Sequence, residues 1–152
     1  MSKPKKTPGT ETNEFPSAEC SLASLKSRSQ IDFEIDFFER ILSRDPSYIE
    51  VLCNLGELFS IKGWSRRALQ VDRRLAQLRP RDAMVLYNLA CSYALVDQTD
   101  KTVESLRLAV DAGYRDFEHL ALDPDLDGIR QTPIFIQFMK ELLDLNSPTR
   151  LA

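Results

Sequence analysis

Histidine and tryptophan occur once each in this sequence, cysteine three times and glycine five times. Each scarcity excludes something. The lone histidine, His119, has no cysteine at metal-site spacing, so no common zinc set is present. It is read as a helix-surface or capping residue. The glycines, at 9, 56, 63, 113 and 128, never form a phosphate-cradling loop after a strand. The cysteines, Cys20, Cys53 and Cys91, are odd in number and widely spaced. That argues against a disulfide framework and for reduced thiols in a cytoplasmic protein. Long apolar runs are missing too. The longest mostly uncharged stretch, "LYNLACSYALV" at 86–96, is too short and too polar to span a bilayer. Lys3, Lys5 and Lys6 are not followed by the apolar core of a signal peptide. Charge of one sign is also lacking. The net charge of −3 steers nothing globally toward nucleic acid, and a nucleic-acid partner is not favoured.

What the chain does contain is helical periodicity. No run alternates apolar and polar residues for long between turn signals, so strands are not expected. Residues 1–20, rich in Lys, Pro, Thr, Glu and Ser, read as a flexible tail. From Leu22 the pattern becomes helical, with Ile31, Ile35, Phe38, Ile41 and Leu42 on one face and Pro46 at the exit. Leu52, Leu55, Leu58 and Phe59 share the next face, which Gly63 closes. Ala68, Val71, Leu75 and Leu78 follow at helical steps. Two further segments repeat the scheme over 83–113, the second with Asp100 as its candidate cap.

These segments are copies of one another. Pro46 and Pro80 stand 34 residues apart, and the same offset links Leu52 to Leu86, Asn54 to Asn88, Leu55 to Leu89 and Phe59 to Tyr93. Gly56 falls on Ala90, small on small. A repeating helix pair accounts for this register. The sequence resembles the tetratricopeptide repeat family, through Leu52, Leu55, Gly56, Phe59, Ala68 and Pro80 in repeat 49–82 and Leu86, Leu89, Ala90, Tyr93 and Ala109 in repeat 83–116. It departs at Leu75, Thr102 and Tyr114, where the family prefers small residues and proline. Residues 15–48 keep only Phe38, Ile41 and Pro46 of a degenerate repeat. The resemblance implies an all-α, right-handed superhelical stack of antiparallel helix pairs, about six or seven helices in one domain over 21–145. A short C-terminal tail covers 146–152. Gly56 and Ala90 are expected at close helix crossings, and Leu55, Phe59, Leu89 and Tyr93 between layers.

"DPDLDG" at 123–128 begins as a calcium loop does. The second half of such a loop is absent: Ile134 stands where the bidentate glutamate belongs. The segment is read instead as a short helical turn over Leu126 and Ile129. Pro133 then opens a last helix whose apolar face is Ile134, Phe135, Phe138, Leu142 and Leu145. It is similar to the closing pattern of some bacterial repeat proteins of the same family, through Gly113, Tyr114, Asp116, Leu120, Asp123, Pro124, Asp125, Leu126, Arg130, Pro133 and Phe135. Residues 117–145 are thus expected to cap the stack.

No motif supplies a catalytic or metal-ligating set, and no cofactor is expected. The resemblance implies a non-catalytic interaction or scaffold module that takes a protein or peptide segment in its concave groove. The first helix of each pair would line it, through Glu50, Cys53, Asn54, Glu57 and Ile61, then Met84, Tyr87, Asn88, Cys91 and Leu95. Cys53 and Glu57 stand where carboxylate-clamping members carry Lys and Asn, so chaperone-tail recognition is not expected. A segment with a basic residue and apolar anchors suits this surface. A competing site is the arginine-rich face of 66–81, with Arg66, Arg67, Arg73 and Arg74, which would take RNA or an acidic partner. Trp64 either packs over the hairpin or stands as an exposed anchor. Self-association through an end helix is a further expectation, as is a C-terminal helix folded across part of the groove.

Overall fold

The computed structural model describes residues 29–146. The expected tail at 1–20, the start of the degenerate repeat and residues 147–152 lie outside them. The described residues form α1 (Gln30–Leu42), α2 (Ile49–Ile61), α3 (Ser65–Leu78), α4 (Ala83–Ala94), α5 (Thr99–Asp111), α6 (Phe117–Leu122), a 3-10 helix (Pro124–Ile129) and α7 (Pro133–Asn146), with no strand.

Caps and closures set these lengths. Ser29 accepts the Asp32 amide at the start of α1, and Asp82 accepts those of Met84 and Val85 at the start of α4. At α5 the expected cap is displaced. The helix starts at Thr99 with Gln98 at its cap position, and Asp100 lies in the first turn. There its charge meets the positive end of the helix instead. α2 ends at Gly63, whose φ of 69° is left-handed. The Trp64 amide donates to Phe59 O at 2.8 Å and the Gly63 amide to Ser60 O at 3.0 Å, the paired closure that favours glycine. Trp64 completes it by packing on Phe59, ring centres 5.9 Å apart.

Each helix from α2 to α5 packs on the one before it. Gly56 is buried where α2 meets α3, and a Cβ there would make ordinary contact with Val71 at 3.4 Å, so the crossing leaves room for a methyl group. Its repeat equivalent Ala90 is fully buried, as the register requires. Leu55, Phe59 and Leu89 are buried and Tyr93 half-buried. The buried apolar residues form two clusters. One joins α1, α2 and α3 around Ile35, Leu55, Phe59, Val71 and Leu75. The other joins α4 and α5 to the closing segment around Val103, Leu106, Leu120, Leu126, Phe135 and Phe138. Thr102 is fully buried, and its hydroxyl donates to Gln98 O at 3.0 Å, which satisfies it. Tyr114, in the family's proline position, is buried.

α7 packs on α5, the second helix of its pair, and Arg107 ties the two by pairing with Glu141. The helix therefore does not fold across the groove. Only Phe135, Phe138 and Leu142 of its expected apolar face are buried. Ile134 is more than one-third exposed, and Leu145 lies on the rim of a cleft with Arg107 and Val110.

Candidate partner-binding groove

α2 and α4 are repeat equivalents, so the same register positions of both face one concavity. The space between them is an open cavity of about 570 Å³. Cys53, Gly56, Glu57 and Ser60 line it from α2, and Asp72 and Leu75 from α3 beneath. α4 contributes Met84, Tyr87, Asn88, Cys91 and Ser92, among others, and its C-cap is Leu95. The far wall is the closing segment, through His119, Asp123 and Asp125. Seven expected groove residues thus come together: Cys53, Glu57, Met84, Tyr87, Asn88, Cys91 and Leu95. Glu50, Asn54 and Ile61 are exposed on α2 outside the cavity lining.

Tyr87, expected to line the groove, does so from a buried position. It is only 2% exposed, stacks on Tyr114 with ring centres 4.3 Å apart, and donates its hydroxyl to Asp123 Oδ2 at 2.6 Å. The physical reason is the closing segment, which covers this side of α4. Asp123 is the latch. It takes the Tyr87 hydroxyl, the Cys91 thiol at 3.6 Å and the Asp125 amide at 2.9 Å, and His119 Nε2 lies 3.3 Å away. Burial opposes its charge, but the Tyr87 bond, the Asp125 amide and His119 together hold its carboxyl below the usual value. Burial, then the bond to Asp123, raises the Tyr87 hydroxyl. Burial, then Asp123 and Asp125, raises the Cys91 thiol, which stays protonated.

The lining of the groove is rich in carboxylates. Asp72, Asp123 and Asp125 join the expected Glu57, and sequence spacing pointed to none of the three aspartates as groove residues. Burial raises the Asp72 carboxyl, against the lowering effect of its bond from the Ser92 hydroxyl. Burial, then Asp123, raises that of Asp125. Donor atoms of Cys91, Asp123 and Asp125 lie within 4.8 Å of one another, close enough to share a cation. The hydrogen bonds to Asp123 already hold the group together as a latch.

The arginines of α3 divide. Arg67 pairs with Glu39 and lies over the Phe59 and Trp64 rings, so it is part of the packing. Arg74 donates to Ser47 and Gln77. Arg66 and Arg73 are exposed on α3. Trp64 packs over the hairpin, between Lys62 and Arg67, and is also partly exposed.

Helix pairs at a 34-residue step around one concave cavity define the class: the protein has a tetratricopeptide-repeat-like helical fold. No family model matches the chain. Among solved structures it is similar to MamA, residues 41 to the end, from Desulfovibrio magneticus RS-1, with a TM-score of 0.52 and 20% identity over 83% of this chain and 72% of that one. A stretch of 63 residues is 35% identical to a chloroplastic protein of Arabidopsis thaliana. It spans 41% of this chain and 19% of that protein. Among the described residues, no helix is long and apolar enough to cross a membrane.

Proposed function

We propose that this protein is a non-catalytic interaction module that holds a segment of a partner protein in the concave groove. The observation that carries the reading is the open cavity of about 570 Å³ between the equivalent helices α2 and α4, with the side chains of Glu57, Met84, Asn88 and Leu95 exposed along it. Of its lining groups, Tyr87, Cys91 and Asp123 are joined through the Asp123 carboxylate as a structural latch, which supports a binding role over a chemical one.

Site-specific photo-crosslinking tests this reading. A benzophenone side chain is placed at Glu57 or Asn88 in the groove, or at Arg66 or Arg73 on the outer face, and adducts are identified by mass spectrometry from source cells. One protein captured at both groove positions and neither outer position is the expected result. Capture only at Arg66 and Arg73 would move the binding surface to the arginine-rich face.

A further inference from the structure

We infer that the occupant of the groove is a basic segment, with a Lys or Arg seated among Glu57, Asp72 and Asp125 and an apolar residue toward each end. This deepens the groove reading above and rests on it. Four carboxylates line the cavity, from Glu57, Asp72, Asp123 and Asp125, and no Lys or Arg does. Elsewhere the chain pairs its acids across elements: Asp32 with Lys62, Glu39 with Arg67, Glu141 with Arg107. In the groove only Asp123 has a basic side chain beside it, His119, while Asp72 accepts only the Ser92 hydroxyl. Glu57, Asp72 and Asp125 make no ion pair among the described residues. Asp72 and Asp125 also carry a desolvation penalty that an incoming cation would relieve. A polyanion meets only repulsion here, so the same surface rejects RNA and acidic segments.

The apolar requirement comes from α4. Met84 near its start and Leu95 just past its end are exposed, although both line the cavity. Eleven helical steps at 1.5 Å separate them by about 16 Å. An extended chain covers that span in about five residues. Asn88 lies exposed between them, with an amide able to bond a strand's backbone. The fitted ligand is thus a short extended stretch with one central cation and two flanking apolar side chains.

A random-peptide phage library panned on the full chain tests this. Three variants are panned in parallel, each shown folded by circular dichroism. They are Glu57→Gln/Asp72→Asn/Asp125→Asn, Met84→Ser/Asn88→Ala, and the outer-face control Arg66→Glu/Arg73→Glu. The expected result is enrichment of Lys or Arg between apolar residues. Those peptides should lose at least about tenfold in affinity to the carboxylate variant, as truncated charge pairs do, and nothing to the control. Peptides that are lost only with Met84→Ser/Asn88→Ala would leave the groove standing and overturn the basic inference. Peptides sensitive only to the outer-face control would overturn both readings. Failure to enrich Lys or Arg over the starting library overturns the inference outright.

Discussion

At the scale of single residues, Gly63 and Asp97 pose one problem with two solutions. They are repeat equivalents, and both are left-handed, with φ of 69° and 59°. Asp97 makes the same closure as Gly63, its amide donating to Ala94 O at 3.1 Å and the Gln98 amide to Tyr93 O at 3.0 Å. A side chain in that conformation costs about 1 kcal/mol, which glycine avoids. Asp97→Gly should therefore raise stability by up to about 1 kcal/mol, read as a higher urea midpoint with unchanged slope. Gly56 is the opposite case. It sits mid-helix with space for a methyl group in ordinary contact with Val71. Gly56→Ala should stabilise by up to about 1 kcal/mol through helix propensity. Gly56→Leu should cost about 1–3 kcal/mol through overpacking. If both lose stability, α2 and α3 leave no room for even a methyl group at their crossing.

At the scale of elements, the closing segment is held by its latch as well as by apolar contact. Tyr87→Phe removes one hydrogen bond to a buried charge and should cost about 1.5–3 kcal/mol. Its pH dependence has a definite sign. The Asp123 carboxyl is held below 3.8, so its stabilisation is present above that value and lost as pH falls through the lower folded-state value. The midpoint gap between wild type and Tyr87→Phe should therefore shrink in acid. Asp72 and Asp125 have the reverse sign. Their carboxyls are raised above 3.8, so their charged forms cost stability as pH rises through the folded-state values. Asp125→Asn should accordingly be neutral or stabilising at pH 7 in an unfolding titration, as expected of a group kept for a ligand. A loss of stability there would mean that Asp125 serves the fold. These elements also mark the limits of the sequence. Helix pairs were legible because Leu52, Asn54, Leu55, Gly56 and Phe59 each have a counterpart at one offset. A short helical turn over Leu126 and Ile129 was legible in the sequence, and both residues are buried in the 3-10 helix. The latch was not, because Tyr87 and Asp123 lie 36 residues apart and no periodicity links them. Tyr87 carried a groove-facing register, and only tertiary packing could show that the closing segment covers it. The place of α7 depended in the same way on which helix its phenylalanines met.

At the scale of the whole molecule, stability should be uneven along the stack. In a helical repeat, each layer is held by its neighbours alone. The cluster of α4, α5 and α7 is covered on its outer side by the closing segment, which buries Leu120, Leu126, Phe135 and Phe138 almost completely. The cluster of α1, α2 and α3 is thinner. On α1, Phe33 is 62% and Phe37 51% exposed, and Ile35 is the only buried residue of that helix. Amide hydrogen exchange should therefore proceed fastest in α1, more slowly in α2 and α3, and slowest in α4 and α5. Leu55→Ala, which removes a buried contact worth about 2–5 kcal/mol, should lower protection across α1–α3 well before it does so in α4–α7. Equal loss of protection in both halves would show that the Asp72–Ser92 bond and the α3–α4 contact couple the two clusters into one unit. The groove would then sit on a single rigid body. With unequal loss it spans the seam between a firm half and a yielding one, and α2 can adjust to its ligand against a fixed α4.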